Sequence, residues 1–162
     1  MKNEIFKLTK MLRATAHGKP WHGESVFQTL ENISAEEAAT HLTLESHSIW
    51  DYVLHIINWR EFTIRNLLDD KPYLVELNSN KDWTTITDFS PAAWKAVLEL
   101  YKKSTDELSE AIQTIDDSKL EEIVSGHKYT FYTLLHGVIQ HDIYHSGQIV
   151  LLKKMLKTKV KT

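Results

Sequence analysis

Helix breakers are scarce in this chain, and that scarcity constrains its fold more than any other feature: 162 residues carry only 5 glycines and 3 prolines. Glycine destabilises a helix interior through backbone entropy and proline through its missing N–H and its ring clash, so a chain poor in both has room for long helices. The clearest one follows Ser90-Pro91, an N-cap with proline at the first helical position. From there Trp94, Leu98, Tyr101, Thr105, Leu108, Ile112 and Ile115 step by four and three alternately, the spacing of a bundle seam.

Three further segments have the same character. Residues 2 to 16 carry Ile5, Leu8, Met11 and Leu12 at helical spacing until His17-Gly18-Lys19-Pro20 interrupts them. Ser48 opens a long helix with Asp51 in its first turn, where a carboxylate suits the positive end of the macrodipole, and Asp69-Asp70-Lys71-Pro72 ends it after Leu68. A last helix runs from about Thr130 to Leu156. Shorter helical pieces are expected at Ser25 to Asn32 and near 35 to 41, where Ser34 and Glu37 form a capping box.

Four apolar-seamed helices with no sustained strand-like alternation predict an all-α, four-helix bundle over a single domain, residues 1–162. Residues 71 to 89 show no period, and a connection that long in a compact domain spans a distance or serves a function. If it is a crossover, helices two and three run parallel, which gives an up-down-down-up arrangement. Residues 116 to 128 read as a polar connection.

The formal net charge of -3 argues against binding a phosphate backbone, which needs a basic face. Lys153, Lys154, Lys157, Lys159 and Lys161 suit a helix C-terminus and a solvated tail. The opening MKNEIFKLTK lacks the apolar core of a signal peptide, and no run of about 18 apolar residues exists, so a cytoplasmic protein with no membrane partner is expected.

With no cysteine, any transition metal must be held by imidazole or carboxylate, and 9 histidines are available. His141 and His145, four apart, place both imidazoles on one helix face together with Leu134, Val138, Leu152 and Leu156. Two histidines among leucines repel if both are charged, and if neutral each still needs partners; a shared metal removes both problems. The alternative is a pair of core histidines bonded to carbonyls or water. A third ligand must come from another element, and His55 is the best placed, mid-helix in IWDYVLHIINW on a face with Trp59, Phe62 and Asp51. His47 precedes the helix, His17 and His22 sit in an interrupted segment, His41 and His127 are beside loops, and His136 faces elsewhere.

Three imidazoles leave coordination positions open, as in a catalytic site. Asp51, four residues before His55, and Gln148, three after His145, are candidates to bond the outer ring nitrogens, although Asp51 serves equally as a helix-start carboxylate and Gln148 as a water-bonded side chain. Gly137, one turn before His141, either leaves room for a ligand or permits close packing. Tyr132, Ile139, Ile143 and Val150 form a second stripe, a neighbour-helix seam or a dimer face. Trp21 and Trp83 cap a pocket or plug the bundle ends.

HSIWDYVLHIINWR and LLHGVIQHDIYHSGQIVLLKK together resemble the DinB-like (DinB/YfiT-like) family of metalloenzymes. WHGESVFQTLENISAEEA is similar to that family's first segment, Asp82-Trp83 to its loop and SPAAWKAVLELY to its third helix. The resemblance implies a four-helix bundle, often a homodimer, with one divalent metal, Zn or Ni above Fe or Co, on His55, His141 and His145. It also implies an enzyme that transfers a low-molecular-weight thiol such as bacillithiol to a small-molecule electrophile. Metal-dependent hydrolysis and a noncatalytic metal- or ligand-binding stress protein are the competing expectations, and no residue decides between them.

Overall fold

The computed structural model describes residues 3–69 and 71–159; Asp70, Lys161 and the side chain of Lys159, to which the sequence assigns a helix stop and a basic tail, lie outside the described residues. Six α-helices follow one another: α1 Asn3–His17, α2 Val26–Leu30, α3 Ala35–Ala39, α4 Ile49–Leu68, α5 Pro91–Thr114 and α6 Phe131–Lys159. Among the described residues no strand forms, and Ile123 and Thr130 make an isolated bridge. The chain is all-α, as its periodicity predicts.

Local chemistry fixes the helix starts. Ser25 with Gln28, Ser34 with Glu37 and Ser48 with Asp51 are complete capping boxes, each satisfying orphan N–H groups at both ends of the motif. Ser90 caps α5 ahead of Pro91. The start of α1 is capped from across the chain: the Asp117 carboxylate accepts from the N–H groups of Asn3 and Ile5 at 2.8 and 3.0 Å. Asp117 opens a short 3-10 helix, Asp117–Glu121, inside the stretch that reads as a polar connection.

The four long helices pack in a ring, α1 on α5 and α6, and α4 on α5 and α6. Contacts between α4 and α5 rise together along both helices, Trp50 beside Trp94 and Arg60 on Tyr101 and Ser104. Between α4 and α6 they run oppositely: Tyr52 and His55 lie by His145, and Trp59 by His141. Tyr101 donates to the Ala16 carbonyl while Arg13 reaches Ser109, so α1 and α5 also run oppositely.

Two apolar clusters fill the interior. One gathers Leu30, Trp50, Val53, Trp94 and Ile149; the other gathers Leu8, Leu12, Phe62, Leu108 and Leu135. Between them lies a polar belt with the fully buried pair Arg60 and Asp142 at its centre. Arg60 donates to Asp142 Oδ2 at 2.7 and 3.1 Å, and to the Tyr101 carbonyl, the Tyr101 hydroxyl, Ser104 and Thr105. Every guanidinium nitrogen has a partner, whereas Asp142 Oδ1 is buried with none, so the carboxylate is the incompletely satisfied half of the pair.

The expected second stripe of α6 divides: Ile139 is buried, Val150 is half-buried, and Tyr132 and Ile143 are exposed. Trp21 is fully exposed, at 102%, so it neither caps a pocket nor plugs an end. No described helix is long and apolar enough to cross a membrane.

Candidate metal centre

The i, i+4 spacing on α6 and the position of His55 on the facing stripe of α4 bring three imidazoles to one point. His141 Nε2 lies 3.0 Å from His55 Nε2 and 3.0 Å from His145 Nε2. All three ligand atoms fall within 4.8 Å of one another, the arrangement of a group that can hold a metal ion. Leu134, Val138, Leu152 and Leu156 are buried on the same side of α6, as the sequence predicts.

The outer nitrogens determine which face of each ring is bare. His55 Nδ1 stands 3.0 Å from the Asp82 carbonyl and 3.1 Å from Asp82 Oδ1, and both are acceptors, so Nδ1 carries the proton. His145 Nδ1 donates to Gln148 Oε1 at 2.5 Å. In both rings Nε2 therefore turns a lone pair toward His141. A proton on His141 Nε2 can point to only one of them, so without a cation at least one of the two 3.0 Å contacts between ring nitrogens has no hydrogen directed along it. A cation resolves that contact, and the donor set thus fits a metal. His141 Nδ1 is buried with no partner.

Electrostatics keep the rings neutral. Burial, with His145, His55 and Arg60 adding to it, pushes His141 down to about 3. Burial also takes His145 down to about 4, against the Gln148 hydrogen bond that raises it, and lowers His55 against the pull of Asp82. Neutral imidazole is the ligating form.

Asp82 is the residue that sequence reasoning did not place at the rings. It comes from the aperiodic segment 71–89, is 3% exposed, and is held by the Trp59 indole N–H on Oδ1 and the Asn78 N–H on Oδ2. Its neighbour Trp83 stacks on His55 with ring centroids 3.8 Å apart and on His47 at 3.5 Å. An acid and an indole stand side by side in this long connection, but no period or spacing in it ties either to a ring. The spacing likewise does not reveal Arg60 and Asp142, which lie on different helices and pair only in the fold.

Asp51 corrects an expectation. Its carboxylate accepts from the N–H and hydroxyl of Ser48, both at 2.8 Å, and lies 3.7 Å from His41, so the role at His55 passes to Asp82. The local capping geometry engages Asp51 before a ring one turn away can. Gln148 does lie on a ring nitrogen. Of the other histidines, His47 stands beyond Trp83, His136 packs on Tyr132, and His127 lies between Phe62 and Tyr129.

Beside His141 a cavity of about 270 Å³ opens between α4 and α6, walled chiefly by Trp59, Phe62, Leu134 and Val138. Gly137 lines it, and a Cβ added there would meet nothing within 4 Å. This glycine leaves open space and does not serve close helix packing.

A helical chain with three histidines from two helices around one point has the donor set of a candidate metal centre in an all-α protein. The DinB superfamily model matches residues 21–149, and the chain belongs to that superfamily. Its fold is similar to the crystal structure of the DinB-like protein YjoA from Bacillus subtilis, with a TM-score of 0.62 and 18% identity over 94% of this chain and 92% of that one. No curated protein matches.

Proposed function

We propose that His55, His141 and His145 hold one divalent metal ion, Zn or Ni in preference to Fe or Co, and that the protein uses it to transfer a low-molecular-weight thiol to a small electrophile. The observation that carries the metal is the convergence of three Nε2 atoms, His141 at 3.0 Å from each of the other two, with the outer nitrogens of His55 and His145 already committed as donors. The chemistry such an ion supplies is acidification of a thiol, so that a nucleophile exists at neutral pH. The chain has no cysteine, so the thiol arrives as a cosubstrate of the bacillithiol type.

The chain's own residues do the positioning. Asp82 and Gln148 hold two rings with Nε2 inward, Trp83 covers one face of His55, and the apolar cavity beside His141 offers the electrophile a site from which water is displaced. The test is an electrophile panel with metal-loaded protein, with and without bacillithiol. Thiol-dependent turnover is expected. Turnover indifferent to the thiol would make the protein a metal-dependent hydrolase, and binding without turnover a noncatalytic metal or ligand binder.

The same proposal takes residues 1–162 as one four-helix-bundle domain with up-down-down-up order, supported by parallel α4 and α5 contacts and opposed α4 and α6 contacts. It places the protein in the cytoplasm as a homodimer with no nucleic-acid partner. Exposed Tyr144, Leu151 and Met155 on α6 support a contact surface there.

A further inference from the structure

We propose that the cavity between α4 and α6 beside His141 binds the neutral apolar part of the substrate, an aromatic ring or a short alkyl chain, and that Gly137 sets how large that part can be. The metal-site proposal is needed for what happens to the ligand once bound; the binding itself stands on the cavity alone.

Three observations select the ligand class. First, the walls are apolar and none of the residues that line the cavity is an acid, a lysine or an arginine. A cationic ligand group would be desolvated there with nothing to pair with it. Second, the polar groups in the wall are few, the hydroxyls of Thr63, Thr133 and Tyr129 and the ring of His141, and none carries a charge. The Thr63 hydroxyl donates to the Trp59 carbonyl at 2.9 Å, and burial pushes the Tyr129 phenol up, which keeps it neutral. Third, the volume of about 270 Å³ exceeds the roughly 150 Å³ of an apolar cavity that accepts benzene, so one substituted ring fits.

Gly137 matters because of where it stands, one helical turn from His141 on the cavity side of α6. A side chain built there projects into open space and meets no neighbour. Glycine in a helix interior otherwise costs stability, so filling this position should favour the helix while removing the ligand's room. Loss of binding in such a variant is therefore not a sign of unfolding.

The test titrates zinc-loaded protein with benzyl alcohol and benzylammonium, following the Trp59 indole N–H by heteronuclear NMR and measuring metal content in parallel. Saturable shifts are expected with benzyl alcohol, with Overhauser contacts to the methyls of Leu134 and Val138, and at least tenfold weaker binding of benzylammonium. Gly137→Leu should weaken benzyl alcohol at least tenfold and Gly137→Ala less, both keeping one metal per chain. Equal affinity of the parent and Gly137→Leu, equal binding of benzylammonium and benzyl alcohol, or no saturable shift overturns the assignment. If Gly137→Leu does not fold, Gly137→Ala still decides: an affinity equal to the parent's counts against Gly137. Metal in the parent without ligand binding rejects the cavity assignment alone, whereas ligand binding in a protein that takes no metal rejects the metal centre and leaves the cavity standing.

Discussion

Two aspartates illustrate how much a single carboxylate's role depends on what else competes for it. Asp51 stands at the right helical offset from His55, but Ser48 engages it first; Asp82 is 27 residues from His55 in sequence and holds its Nδ1. Asp82→Asn is expected to weaken zinc binding by roughly 10- to 100-fold in a calorimetric titration, the usual scale for a lost partner of a ligating histidine. Asp51→Ala should leave zinc affinity unchanged and cost about 0.5–1 kcal/mol of stability by opening the capping box. The reverse pattern would mean the two roles are exchanged. The rings themselves predict a pH effect in metal-free protein. His141 and His145 titrate below their unfolded value, so between about pH 6.5 and 3 the unfolded chain binds protons that the folded chain refuses. Stability therefore falls as pH drops through that window and levels below it. Urea unfolding at pH 7, 6 and 5 with chelator should show a shallower fall for His141→Gln than for the parent; parallel curves would rule out this origin.

At the scale of elements, the helices were legible because apolar spacing and capping are local, and His141 and His145 were legible because an i, i+4 pair needs only one helix to be understood. His55 required one more step, the choice of a facing stripe. Asp82 was not legible, since segment 71–89 has no period and its fold depends on contacts such as Asp82 with Trp59 and Asn58 with the Asp82 carbonyl. Nor was the Arg60–Asp142 pair, because a buried charge reads as a surface charge until its partner on another helix is known. That pair joins α4 to α6, with Tyr101, Ser104 and Thr105 tying in α5, and it sits beside His141. Arg60→Ala should cost about 3–5 kcal/mol in chemical denaturation, because it strands Asp142 without a counter-charge. The double variant Arg60→Met, Asp142→Leu should recover most of the loss; a double variant no more stable than Arg60→Ala would show that the remaining bonds of Arg60, and not the ion pair, hold the three helices.

At the scale of the whole molecule, the candidate centre ties to one point the connection 71–89 and two helices, α4 and α6, that both apolar clusters already pack together. His55 brings α4, His141 and His145 bring α6, and Asp82 brings the connection between α4 and α5, so an ion at the centre closes a loop through most of the chain. Binding that requires the folded arrangement stabilises it by mass action, about 2.7 kcal/mol at free zinc 100 times the dissociation constant. For a chain of this size that corresponds to roughly 5–10 °C in Tm. Scanning calorimetry should show that rise for the parent and none for His55→Ala. Because Asp82 reaches the ion only through His55, zinc should also slow amide exchange at residues 79–84 in the parent. A Tm that rises while exchange in this segment stays unchanged would mean that the connection packs against the helices independently of the centre; a Tm indifferent to zinc would remove the centre itself.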